Sequence, residues 1–138
     1  MKVVEIKKHG GPEVLYIGSR PVPKPKKNEV LIKVKAAGVN RPDILQREGD
    51  YPPPKDESDI LGLEVSGEVV ELGEKTKNIK IGDKVCALVS GGGYSEYCLA
   101  PYSQCLPIPK NINFEEASTI PETFFTVWFN LFIRNRIK

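Results

Sequence analysis

The feature that most constrains the fold is the even spacing of short apolar runs between turn signals across roughly the first hundred residues. Glu29 to Lys35 alternates Val30, Ile32 and Val34 with Leu31, Lys33 and Lys35, the period of two of a half-buried strand. Val65 to Leu72, interrupted by Gly67, predicts a second strand, and Lys84 to Val89 a third. Gly91-Gly92-Gly93 bends the chain before a further strand, Tyr94 to Leu99. At the start, Val3 to Ile6 and Val14 to Ile17 flank Gly10-Gly11-Pro12 and read as a hairpin. Pro21, Pro23 and Pro25 impose an extended crossing that no helix can contain. The pattern predicts a mainly β domain, a barrel or sandwich, decorated with short helices.

Two stretches depart from it. In Asn40 to Gly49, Asn40 is a good N-cap, Pro42 fits the first turn, Asp43 suits the positive end of the dipole, and Gly49 supplies the stop. The second begins at Asn113, where Asn-Phe-Glu-Glu resembles a capping box, and continues into a helix from Pro121. Phe124, Val127, Trp128 and Leu131 share one face of that helix, and all five Phe and the single Trp lie between Phe114 and Phe132. A face this apolar predicts a partner, a further domain or self-association. The competing reading folds it back onto the β domain. Residues 1–120 form the expected domain, and 121–138 the expected start of a linker helix.

The charges, 20 Lys and Arg against 18 Asp and Glu, leave a net +2. That near-balance makes no case for a nucleic-acid or membrane partner. Cys86, Cys98 and Cys105 lack zinc-ligand spacing, which argues against a disulfide framework or structural zinc. The start has no apolar leader-like stretch, so the expected setting is cytoplasmic.

The chemical inventory is thin. His9 is the only histidine, so no His pair and no Ser-His-Asp arrangement can form. Gly91-Gly92-Gly93 lacks a following Lys-Ser/Thr pair, and no G-x-G-x-x-G occurs, so neither phosphate-loop signature is present.

A spaced set of motifs is more informative: AAGVNRPDILQREGDY at Ala36 to Tyr51, ILGLEVSGEVVELG at Ile60 to Gly73, IGDKV at Ile81 to Val85, GGGYSEY at Gly91 to Tyr97, and IPETFFTVW at Ile120 to Trp128. In this order and spacing they resemble the quinone oxidoreductase branch of the medium-chain dehydrogenase/reductase superfamily. The resemblance implies a GroES-like β-barrel ending in a helix that leads into a Rossmann domain, which this chain would lack. It implies NADPH as cofactor, a quinone or enone substrate and a homodimer when intact. It also implies that the chain alone binds NADPH weakly or not at all.

Zinc members of the superfamily carry a Cys and a His-Glu pair in two of these motifs. Asn40 and Leu63-Glu64 stand at the matching positions, and neither an amide nor an aliphatic chain is an ordinary zinc ligand. A zinc-free site is therefore expected. The resemblance assigns Tyr51 as the substrate-orienting donor, Asn40 as its partner near the nicotinamide, and Thr126 as a cofactor contact. For a neutral carbonyl substrate, an amide N–H and a phenol O–H are sufficient donors. Plainer roles compete: Tyr51 packing on Pro52-Pro53-Pro54, Asn40 as a helix cap, and Thr126 as helix filler. Asp43 is expected to cap the helix or pair with Arg41, and Glu64 to join a structural ion pair.

Overall fold

The computed structural model describes residues 1–137. Strands β1 (Lys2–Ile6) and β2 (Leu15–Ser19) pair antiparallel across a turn of 3-10 helix at Pro12–Val14. Then follow β3 (Glu29–Ala37), α1 (Arg41–Glu48), β4 (Glu64–Leu72), β5 (Lys84–Leu88), β6 (Tyr97–Pro101) and β7 (Cys105–Pro107). Helices α2 (Phe114–Ala117) and α3 (Pro121–Trp128) come last, and α3 runs into a π-type segment, Phe129–Arg134.

Strands β3 to β7 form one antiparallel sheet in the order β6-β3-β4-β5-β7. Among the described residues β6 and β7 do not pair, so the expected barrel is an open sheet. The β1–β2 hairpin covers part of the opening. It joins the turn before β6 through a Val3–Ser95 bridge and through the Val4 N–H, which donates to the Tyr94 carbonyl at 2.8 Å. Those contacts occupy Tyr94 to Glu96, so β6 begins at Tyr97 rather than at Tyr94.

The alternation in β3 predicted its burial in part: Leu31, expected on the face of Lys33 and Lys35, is 3% exposed. Val30 and Ile32 are fully buried, while Lys33 and Lys35 are exposed. They pack with Val65, Val69, Val85, Ala87, Cys98 and Ala100 in one core. Each such aliphatic side chain contributes roughly 1.5–3 kcal/mol of transfer free energy. Gly67 lets β4 lie close on β3: a β-carbon there would sit 2.2 Å from the Lys33 carbonyl oxygen.

Both predicted helix starts form. Asn113 Oδ1 accepts from the Glu116 N–H at 2.8 Å and Glu116 Oε2 from the Asn113 N–H at 3.0 Å, closing the expected capping box. Helix α1 ends at Gly49, whose φ of +98° is the left-handed turn that glycine adopts without strain.

Helix α3 does not fold back with its aromatic face. Phe124 is 66% exposed and Trp128 58%, and Val127, Phe129 and Phe132 are exposed as well. Among the described residues, no helix is long and apolar enough to cross a membrane.

Candidate active site

The loop between β3 and α1 places Asn40 at the mouth of the sheet, where the ends of β4 and α3 also arrive. The Asn40 backbone N–H donates to Asp43 Oδ2 at 2.8 Å, tightening the first turn of α1. Its side chain Nδ2 donates to Glu64 Oε1 at 2.9 Å. Glu64, the first residue of β4, is 2% exposed. Its other oxygen, Oε2, accepts the Glu122 backbone N–H at 2.9 Å. Pro121 has no N–H, so that of Glu122 is the first donor of α3, and a carboxylate there opposes the positive end of the helix dipole. Among the described residues Glu64 therefore joins no ion pair. It ties Asn40 to the head of α3 through two charge-assisted hydrogen bonds.

Beside it lies a second network. Asp43, 3% exposed, accepts from the Gly62 N–H at 3.0 Å and from the Tyr94 hydroxyl at 3.0 Å, besides the Asn40 N–H. The expected capping role of Asp43 is present, and Arg41 is exposed. Gly62 has a φ of +100°, and a β-carbon on it would lie 2.6 Å from the Tyr94 ring. Burial, and then the Asp43 carboxylate, push the Tyr94 phenol above its ordinary value, so it remains a neutral donor. Burial, with Glu64 and Asp43 nearby, likewise raises the Glu122 carboxyl.

The sequence-predicted residues are dispersed differently from that network. Tyr51 follows the C-terminal cap of α1 and is 43% exposed. Asn40 stands at the opposite end of the helix, whose eight residues rise roughly 12 Å. Thr126 lies exposed on α3, with its hydroxyl donating to the Glu122 carbonyl at 2.7 Å. That bond leaves Thr126 Oγ1 able to accept but not to donate. None of the three lines the cavity of about 480 Å³ bounded by Arg20, Lys26, Ser58, Gly91 and Cys98.

The glycine run is structural. Gly92 and Gly93 donate their N–H groups to the carbonyls of Ile60 and Gly62, at 2.8 and 3.1 Å. Those donors are unavailable to a phosphate. Among the described residues, no group of three or more His, Cys, Asp or Glu could hold a metal ion. Burial pushes the Cys98 thiol up to about 12, which removes it as a nucleophile at neutral pH.

Asp43 and Tyr94 are 51 positions apart, and Glu64 and Glu122 are 58 apart. No local pattern pairs such residues. The available signal was the glycine at 62 beside the buried Glu64, with a tyrosine directly after a glycine run.

Residues 26–110 match the family described as alcohol dehydrogenase GroES-like domain. Quinone oxidoreductase of Sus scrofa is 37% identical over 128 residues, covering 91% of this chain and 39% of that protein. The synaptic vesicle membrane protein VAT-1 homolog-like of Mus musculus is 33% identical over 132 residues, 96% of this chain and 32% of that protein. The chain thus spans a third to two fifths of the length of these curated relatives. Among solved structures, Escherichia coli quinone oxidoreductase complexed with NADPH superimposes with a TM-score of 0.84 at 34% identity, over 95% of this chain and 40% of that one. The order of the motifs, the mainly β fold and these matches agree: the chain belongs to the alcohol dehydrogenase GroES-like domain family, in the quinone oxidoreductase branch of the medium-chain dehydrogenase/reductase superfamily.

Proposed function

We propose that this chain is the substrate-side part of a zinc-independent, NADPH-dependent quinone oxidoreductase. The observation that carries the reading is the set of groups at the head of α1 and α3. Asn40 and Leu63 occupy the positions of metal ligands in zinc relatives, and Glu64 is held by an amide N–H and a backbone N–H. Those partners suit a neutral, hydrogen-bonding site rather than a Lewis-acid one.

NADPH, when bound, supplies a hydride, and a quinone that takes it up also needs a proton on oxygen to become a hydroquinone. The residues present fit the nicotinamide end of the cofactor and not its phosphates. Asn40 retains one N–H and its carbonyl oxygen, and Thr126 Oγ1 can accept. The Gly92 and Gly93 N–H groups are occupied, so phosphate binding falls to a further domain. In this reading Tyr51 donates its O–H to the substrate carbonyl, stabilising charge as it develops there, and Asn40 holds the carboxamide side of the nicotinamide. The α3 helix joins the two halves. Localisation in the cytoplasm and a homodimer of the whole protein belong to the same proposal.

The test grafts residues 1–128 in place of the matching segment of Escherichia coli quinone oxidoreductase and measures NADPH-linked quinone reduction. Turnover is expected, with Tyr51→Phe lowering kcat/KM by about ten- to a hundredfold through loss of one donor. A graft that folds, binds NADPH and reduces no quinone would overturn the proposal. NADPH titrated into the 138-residue chain alone is expected to bind no tighter than millimolar.

The exposed aromatic face of α3 supports a second reading, a non-catalytic module that docks a partner through Phe124 and Trp128. A folded but inactive graft favours it.

A further inference from the structure

We propose that Glu64 is a positioning residue that dictates which atom of the Asn40 amide faces the substrate side, and that it locks this choice to the first turn of α3. Three observations converge. Glu64 is 2% exposed and divides its oxygens, Oε1 to Asn40 Nδ2 and Oε2 to the Glu122 N–H. Gly38 leaves the space its carboxylate fills: a β-carbon there would lie 2.0 Å from Oε1 and 2.6 Å from Cδ. Among the described residues, no buried side-chain nitrogen or oxygen lacks a partner.

The consequence follows from donor and acceptor chemistry. A carboxylate only accepts, so the NH₂ of Asn40 must face Glu64. Its Oδ1 then faces away from Glu64, beside the Asp43 backbone N–H, with a second lone pair and one amide N–H left for a ligand. An acceptor there suits a ligand group that donates, such as the NH₂ of a carboxamide, and this assignment rests on the functional reading above. The bond to Glu122 makes the orientation conditional on α3. Movement of that helix head would withdraw the Glu122 N–H that holds the carboxylate in line with Asn40.

Glu64→Gln inverts the arrangement while keeping the volume. The Glu122 N–H is fixed backbone, so the glutamine oxygen must face it. The glutamine NH₂ then faces Asn40, and only a flipped Asn40, oxygen inward, can accept from it.

The experiment is nuclear magnetic resonance on the 138-residue chain with asparagine-selective nitrogen labelling, without cofactor or substrate. In the wild type, the Asn40 side-chain NH₂ should show an Overhauser contact to the Glu64 γ-protons. Its exchange with water should be slowed by about tenfold or more, as a charge-assisted hydrogen bond implies. In Glu64→Gln both signs should vanish from Asn40, while the Glu122 backbone N–H keeps its protection. An Asn40 NH₂ that exchanges freely in the wild type overturns the proposal, and so does one equally protected in both proteins. Because the readout needs no turnover, the grafted enzyme could fail with this result intact, or succeed with this result negative.

Discussion

Replacing Asp43 by Asn tests whether its three-donor network holds the site together. Asp43 Oδ2 accepts from the Asn40 N–H and the Tyr94 hydroxyl, and Oδ1 from the Gly62 N–H. An asparagine oxygen can keep the two bonds at Oδ2. Its NH₂ then points at the Gly62 N–H, donor against donor. Gly62 is held in place by its own carbonyl, which accepts the Gly93 N–H at 3.1 Å. The cost is one charge-assisted bond, with a buried N–H left unpaired, about 2–3 kcal/mol. Asp43→Ala orphans all three donors and should cost about 4–6 kcal/mol, close to the whole stability of a domain this size. Tyr94→Phe removes one bond and should cost about 1–2 kcal/mol. Urea unfolding of the four proteins measures these values, and the slope with denaturant shows whether unfolding stays two-state. In the double-mutant cycle, Asp43→Asn and Tyr94→Phe should couple by about 0.5–1 kcal/mol. A loss below about 0.5 kcal/mol in Asp43→Asn would refute the reasoning, since nothing then distinguishes this carboxylate from a surface one.

Gly67→Ala should destabilise by about 3 kcal/mol or more in the same assay, because the added carbon meets the Lys33 carbonyl at 2.2 Å and the β3–β4 ladder must part. Alkylation at pH 8 should leave Cys86 and Cys98 unmodified in the native chain, since both are buried and burial raises both thiols, and all three cysteines should react in urea. Sedimentation of the 138-residue chain should show self-association through the face of Phe124, Val127 and Trp128, abolished in Trp128→Ser, whereas a strict monomer would mean that this face tolerates water.

The β3, β4 and β5 strands were legible as apolar runs between turn signals, although residues 64–67 in β4 and 85–87 in β5 are buried on both faces. Helix α1 was legible from its ends, Asn40 and Gly49. The short strand β7 was not, because Cys105-Leu106-Pro107 is three residues long, ends in proline and takes its order only from pairing with β5. Openness of the sheet was equally invisible, since alternation marks which face is buried and not whether the two edges meet. For the site, residue types and motif order pointed to Asn40, Tyr51 and Thr126. The network that orients Asn40, Glu64 against Glu122 and Asp43 against Tyr94, consists of contacts between distant segments that no periodicity encodes. Asn40 illustrates the difference. Its amide was expected to serve as a donor near the nicotinamide, and Glu64 occupies one of its two N–H groups.

The most direct test of the zinc-independent assignment is the metal dependence of quinone reduction by the grafted enzyme. Turnover should be unchanged after exhaustive chelation, and the protein should carry well under one zinc per chain, because Asn40 and Leu63 offer the metal no thiolate, imidazole or carboxylate. Activity lost on chelation and restored by zinc would contradict the account.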